Sequence, residues 1–158
     1  MSIESVKEFF INKKYDFSLL ELGISGATVE LAAKNIGVAP ELIAKTLAFK
    51  LKDDNILVVT KGNARIDNKK FKQQFNCKAK MLTAEEVLDS TSHPVGGVCP
   101  FGVKDDLKVY MDITLKAFEY VYPAAGGIDA ALKISTTEMQ KLTNADWVDV
   151  CQSQDTSV

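Results

Sequence analysis

The sequence predicts a mixed α/β fold: a strongly curved mixed sheet or partial β-barrel, flanked by helices on the outside. Three observations lead there. Strand and helix signals follow one another without the regular strand-helix alternation of a doubly wound parallel sheet. Two apolar runs joined by a short polar turn read as an antiparallel hairpin. At 158 residues, with 46% apolar and 25% charged side chains, the chain has the balance of an ordinary globular protein, and one core at this length buries about 70% of the unfolded surface.

Taken in order, residues Ser2–Lys14 alternate apolar and charged positions at helical spacing and predict the first helix. Phe17–Leu22 reads as extended. Thr28–Ile36 is helical, with Val29, Ala32, Ala33 and Ile36 on one face and Gly37 as its stop. Pro40 opens a short helical turn through Ile43, and Lys45 stands at the boundary where the next strand begins. Thr46–Leu51 and Ile56–Thr60 are the hairpin strands, separated by Lys52-Asp53-Asp54-Asn55. Asp67 caps a helix reaching Phe75, because its carboxylate accepts from the free N–H groups of the first turn. Thr83-Ala-Glu-Glu86 and Ser135-Thr-Thr-Glu138 match the capping box and start two more helices. Val109–Ile113, Tyr120–Tyr122, Ala131–Ile134 and Trp147–Val150 complete the strands. The reading is one domain over 1–151 and a loose polar tail over 152–158.

Composition excludes several classes of function. The first helix carries acids where a signal peptide would be basic and apolar, and no run approaches the ~18 apolar residues of a membrane span. Cys77, Cys99 and Cys151 form neither a C-x-x-C pair nor an even disulfide set, so a soluble protein of the reducing cytoplasm is expected. His93 is the sole histidine, which excludes a zinc site built on several histidines, and the cysteines lack zinc spacing. No Walker loop, G-x-S-x-G elbow or dinucleotide fingerprint occurs. A formal net charge of −2 argues against indiscriminate nucleic-acid binding. Between Lys61 and Lys80, however, Lys61, Arg65, Lys69, Lys70, Lys72, Lys78 and Lys80 meet one acid, Asp67. That segment reads either as a solvated helix face or as a local footprint for a phosphate backbone.

The densest signal is Ser92-His-Pro-Val-Gly-Gly-Val-Cys-Pro-Phe-Gly102, with three glycines and two prolines in eleven residues. Glycine allows close approach to the main chain and proline stiffens it, so backbone N–H groups can be aimed at one point. Such fixed donors stabilise an oxyanion; a plain helix-to-strand connection has the same composition. Tyr122-Pro-Ala-Ala-Gly-Gly127 has a similar character, and the two loops suit opposite walls of one pocket or simple turns. Lys45 reaches either for an anion or for the solvent rim. Cys99 and His93 are the one conceivable thiol and base, although a separation of six residues does not by itself bring two loop side chains together.

At these residues the chain resembles the YbaK family, free-standing relatives of the editing domain inserted in bacterial prolyl-tRNA synthetases. The resemblance spans nearly the whole chain and rests on Ile43-Ala-Lys-Thr-Leu47, on Gly96-Gly-Val-Cys-Pro-Phe-Gly102 with its G-x-x-x-P loop, and on Val121-Tyr-Pro-Ala-Ala-Gly-Gly127, in this order. It implies a barrel-like core with flanking helices and a trans-editing aminoacyl-tRNA deacylase, acting on tRNA for proline that carries cysteine or alanine. Lys45 would hold the terminal adenosine or its phosphate, and Gly96, Gly97, Val98, Cys99 and Pro100 would surround the aminoacyl carbonyl. Thr46, His93, Phe101, Gly102, Ala125, Gly126 and Gly127 would complete the substrate pocket. Lys61, Arg65, Lys69, Lys70 and Lys72 then offer contacts to the tRNA. Water, or the substrate's own ribose hydroxyl or side chain, would supply the nucleophilic chemistry, with no metal and no cofactor.

The partners implied are the acceptor end of mischarged tRNA and an aminoacyl-tRNA synthetase, with no membrane. An aminoacyl ester is already activated, so positioning and oxyanion donors suffice without a catalytic triad. The chain departs from the family where some members carry a histidine in the late pocket loop, here Ala125-Gly126-Gly127, and where some alanine-specific members carry asparagine in place of Thr46. The other reading of the same fold is a non-catalytic module that binds tRNA, a nucleotide or a synthetase.

Overall fold

The hairpin between β2 (Ile43–Lys50) and β3 (Asn55–Lys61) forms the centre of the molecule, in antiparallel register from Ala44 opposite Lys61 to Lys50 opposite Asn55. The computed structural model describes residues 2–23, 25–104 and 107–153. Among these residues the chain also forms β1 (Leu19–Glu21), β4 (Lys108–Asp112), β5 (Tyr120–Pro123), β6 (Ala130–Leu132), β7 (Ile134–Ser135) and β8 (Asp146–Val148). The helices are α1 (Ser2–Asn12), α2 (Val29–Ile36), α3 (Asn68–Phe75), α4 (Ala84–Thr91) and α5 (Thr136–Thr143). Six strands join in the order β7-β5-β2-β3-β4-β8, while β1 and β6 make a separate ribbon. Parallel and antiparallel pairs are mixed within the large sheet. It is a strongly curved half-barrel flanked by helices, the architecture expected from the irregular element order.

Local chemistry sets most boundaries. Thr28, Asp67, Thr83 and Ser135 are N-caps whose side chains accept from first-turn N–H groups, and Thr83 with Glu86 completes a reciprocal capping box. Several boundaries differ from the sequence reading by one to a few residues, among them the end of α1 at Asn12 and the span of β1, and three differ because long-range contacts outweigh local pattern. β2 starts at Ile43, since Ile43 and Ala44 pair with Tyr122 and Pro123 of β5, and this places Lys45 inside the strand instead of at its boundary. The run Ala131–Ile134 is not one strand: β6 pairs with β1, β7 pairs with β5, and Lys133 is the corner between them. Strand β8 ends at Val148, after which the Val150 N–H turns to the Asp112 carboxylate at 2.8 Å.

One core, including Val6, Phe10, Ala44, Ala48, Leu57, Val59 and Phe101, packs one face of the sheet against α1; another, including Phe49, Ile56, Val58, Phe71 and Val150, packs the opposite face against α3. Of the tail expected over 152–158, Gln152 donates its N–H to the Arg65 carbonyl at 2.8 Å, and residues 154–158 lie outside the described residues. No helix of the described residues is long and apolar enough to cross a membrane.

Candidate functional site

A cavity of about 490 Å³ opens where the outer edge of β2 loses its neighbours. The pairing with β5 stops at Ala44. Pairing resumes where the Ala48 carbonyl accepts from Leu82 N–H at 3.0 Å and Lys50 N–H donates to the Lys80 carbonyl at 2.8 Å. Backbone groups of a strand alternate between its two edges, so the bonds at Ala48 and Lys50 place the N–H and C=O of Thr46 on the same open edge. Lys45, Thr46 and Leu47 line the cavity at this gap. The Thr46 Oγ1 is buried and has no hydrogen-bond partner among the described residues. Buried hydroxyls are ordinarily paired, and an unpaired one on the wall of an otherwise mostly apolar cavity marks a point where a ligand group would be held.

Lys45 is half-buried and donates from Nζ to the Ala64 carbonyl. Burial holds its pKa below the ordinary lysine value, and the nearby Arg65 charge acts in the same direction, against the opposing influence of Cys151 and Glu30.

Gly96 and Val98 also line the cavity, and the N–H groups of both have no hydrogen-bond partner among the described residues. Gly96 has φ +92°, a conformation that glycine adopts without a Cβ penalty. Gly97 turns the other way: its N–H donates to the Pro94 carbonyl at 2.9 Å and its carbonyl accepts from Gly126 N–H at 3.0 Å. A Cβ on Gly97 would lie 2.7 Å from the Gly127 nitrogen, so only glycine fits this contact.

The glycine loop and the late loop are thus joined in one wall, and do not face each other across the pocket as two walls. From that wall Gly96, Val98, Ala124 and Ile128 reach the cavity, whereas Gly97, Ala125, Gly126 and Gly127 lie at the seam behind it. Cys99, Pro100 and Phe101 are buried away from the lining, and Gly102 abuts the Ser5 carbonyl of α1.

His93 is fully buried behind the loop. Its Nε2 lies 2.7 Å from the Phe101 carbonyl and 3.6 Å from Cys99 Sγ. A carbonyl only accepts, so Nε2 carries the proton and is no base toward the thiol. Burial pushes the Cys99 thiol up to about 12 and lowers His93 from its ordinary value. The pair is a neutral core contact without the features of an activated nucleophile. Among the described residues no three His, Cys, Asp or Glu side chains converge as metal ligands would.

The basic segment divides. Lys70 is tied to Asp149 at 3.1 Å and to the Cys151 carbonyl at 3.0 Å, bracing α3 against the chain after β8. Lys69 and Lys72 are exposed, have no ion-pair partner among the described residues, and border a basic hollow with Lys78. Lys61 is half-buried at the end of β3, and the exposed Arg65 lies close enough for its charge to act on Lys45. Sequence reasoning missed the Met81–Leu82 segment, Val95 and Ile128, which line the cavity. The single available signal for Met81-Leu82 was its place just before the Thr83 cap.

With that geometry established, the sequence profile of the aminoacyl-tRNA editing domain matches residues 25–142. An uncharacterised protein of Bacillus subtilis (strain 168), YwhH, is 44% identical over 154 residues, covering 96% of this chain and 98% of that protein. A protein of Enterococcus faecalis (strain ATCC 700802 / V583) provisionally named Cys-tRNA(Pro)/Cys-tRNA(Cys) deacylase EbsC is 26% identical over 140 residues, covering 87% of this chain and 84% of that protein. A crystal structure described as that of a candidate trans-editing enzyme for prolyl-tRNA synthetase superposes with a TM-score of 0.88 at 27% identity, over 96% of this chain and 98% of that one.

Proposed function

Because the chain belongs to the aminoacyl-tRNA editing domain family, we propose that it is a trans-editing deacylase, one that hydrolyses the ester of tRNA for proline carrying cysteine or alanine. The observation that carries this reading is the cavity itself. Its mostly apolar lining includes Lys45, Thr46 with a buried hydroxyl that has no partner among the described residues, and Gly96 and Val98, whose N–H groups make no hydrogen bond among those residues.

In this reading the ammonium of Lys45 leaves the Ala64 carbonyl for the terminal nucleotide. The open edge at Thr46 holds the aminoacyl moiety by main-chain and hydroxyl groups. The N–H groups of Gly96 and Val98 receive the negative charge that develops on the carbonyl oxygen when water attacks and gives up a proton. The C–O ester bond then breaks, the terminal ribose oxygen leaves as a hydroxyl after taking up a proton, and the free amino acid departs. Cys99, neutral and buried, takes no part. The loop supports this work from behind through Gly97, Pro100, Phe101 and Gly102, and the late loop through Ala125, Gly126 and Gly127.

Lys69 and Lys72, together with Lys61 and Arg65, supply contacts to the tRNA backbone that position the acceptor end without reading its sequence. A prolyl-tRNA synthetase that releases mischarged product is the proposed partner. Hydrolytic sieving suits this task, because one methylene yields only about 1–3 kcal/mol of discrimination by binding. Incubating the protein with tRNA for proline charged separately with proline, alanine and cysteine tests the reading. Release of alanine or cysteine but not proline supports it, and no release from any of them refutes it.

A further inference from the structure

His93 was expected among the substrate contacts, yet its side chain is sealed in the core with no exposure. What it does there can be read from its bonds. The chain leaves α4 at Thr91, whose hydroxyl donates to the Val87 carbonyl at 2.7 Å and accepts from the His93 N–H at 3.0 Å. This anchors the start of the loop to α4. The far end is anchored by Phe101, whose ring packs on Phe9 and Phe10 of α1 at centroid distances of 5.7 and 4.8 Å. Between the two anchors the imidazole Nε2–H donates to the Phe101 carbonyl at 2.7 Å, closing a ring of chain that contains Gly96 and Val98. The other ring nitrogen, Nδ1, is buried with no hydrogen-bond partner among the described residues. Leaving a buried acceptor unpaired is costly, and it is tolerated here because the opposite nitrogen makes the one bond that pulls the ends of the loop together.

We propose that His93 is a positioning residue: as the neutral Nε2–H tautomer it clamps residues 93–101 and so fixes the Gly96 and Val98 amides on the cavity wall. It touches no substrate. Its effect on turnover rests on the deacylase reading above, whereas the clamp itself does not.

Because this is the sole histidine, nitrogen-15 imidazole spectroscopy of the intact protein reports on it alone. At neutral pH the spectrum should show a proton on Nε2 and none on Nδ1. A proton on Nδ1, or an imidazolium, overturns the proposal before any variant is made. His93→Leu keeps an apolar group of similar bulk and removes the donor. His93→Gln returns an N–H near the Nε2 position.

Hydrogen exchange of the Gly97 and Gly126 amides, which bond to the Pro94 and Gly97 carbonyls, should accelerate in His93→Leu, while those of β2 and β3 stay protected, and His93→Gln should restore slow exchange. Unchanged loop exchange in a folded His93→Leu protein overturns the clamp. With mischarged tRNA, His93→Leu should lose kcat by about 10²-fold, the size of a 1 Å misplacement, with KM nearly unchanged, and His93→Gln should recover most of it. Equal loss in kcat and gain in KM, or full activity in His93→Leu, refutes the positioning role. If the wild-type protein hydrolyses nothing, the deacylase reading fails, and the imidazole spectrum and loop exchange still decide whether the clamp exists.

Discussion

Replacing Thr46 by valine should separate stability from function, because its hydroxyl is buried and has no hydrogen-bond partner among the described residues. Leaving such a group unsatisfied costs about 1–3 kcal/mol. Valine has nearly the same shape, is at least as favourable in a strand, and abolishes that cost at a position flanked by Ala44, Ala48 and Leu47. Taking the lower end of the range, a gain of about 1 kcal/mol raises Tm by roughly 2–4 °C for a chain of this size. The same hydroxyl is the polar point offered to the aminoacyl group. Losing one neutral hydrogen bond worth about 0.5–1.5 kcal/mol lowers kcat/KM by about 2- to 13-fold at 1.36 kcal/mol per tenfold. The assay is thermal unfolding paired with single-turnover deacylation. Thr46→Ser is the control that keeps the hydroxyl and loses only a methyl group. It should melt lower than the parent and retain activity. A Thr46→Val protein that melts below the parent, or that hydrolyses every substrate at the parental rate, would refute the reasoning, because the hydroxyl would then be satisfied within the protein or irrelevant to the ligand.

Lys45→Ala should reduce kcat/KM by about 10- to 150-fold, the loss of a charge-assisted contact of about 1.5–3 kcal/mol, while circular dichroism stays native; parental activity would remove Lys45 from the site. Cys99→Ala should keep most activity, since burial holds that thiol neutral with a pKa of about 12; trapping of a thioester on Cys99 would show the opposite. Lys69→Glu with Lys72→Glu should weaken binding of many tRNAs alike and flatten its salt dependence, because each lost phosphate contact removes released counterions, whereas Lys70→Glu should act mainly on stability through its bond to Asp149; filter binding across a salt series distinguishes them. Glu86, held at about 2 by Lys50 and the Thr83 backbone N–H, contributes stability that is complete above its ordinary value of 4.5 and is lost as pH falls from there toward 2; Glu86→Gln should flatten that acid limb of the Tm profile.

Capping chemistry made the helices readable. Asp67, Thr83 and Ser135 each announce a helix through side-chain oxygens that bond within three residues, and interactions of that range leave their mark on a short window of sequence. The β2–β3 hairpin was readable for the same reason. What the window does not contain is the identity of a strand's second neighbour. Ile43 becomes a strand residue only when Tyr122 arrives beside it, and Lys133 becomes a corner only because β1 and β5 compete for the residues on either side. The glycine density at Gly96–Gly102 drew attention to a loop of which Gly96 and Val98 line the cavity. Composition did not distinguish Gly96, which faces the cavity, from Gly97, which faces Gly127.

The same argument explains why Thr46 was named from the resemblance alone and not from its own chemistry. A threonine in an apolar strand breaks no local rule. Its hydroxyl becomes an anomaly only because β5 stops pairing at Ala44 and the Met81–Leu82 segment does not begin until Ala48, and no sequence window spans Ala44, Leu82 and Pro123 together. Lys45 is a parallel case, since its half-burial follows from the position of the Ala64 carbonyl after β3. Cores satisfy packing and hydrogen-bond rules at nearly every position, and local violations concentrate where the protein must bind something else. By that criterion the open edge at Thr46 and the amides of Gly96 and Val98, which have no hydrogen-bond partner among the described residues, belong together on the lining of one cavity, and Lys45, its Nζ held by the Ala64 carbonyl, lines the same cavity. In the proposed reading an aminoacyl ester with its terminal nucleotide brings the carbonyl and amine that pair with the former and the phosphate that draws the lysine from its carbonyl.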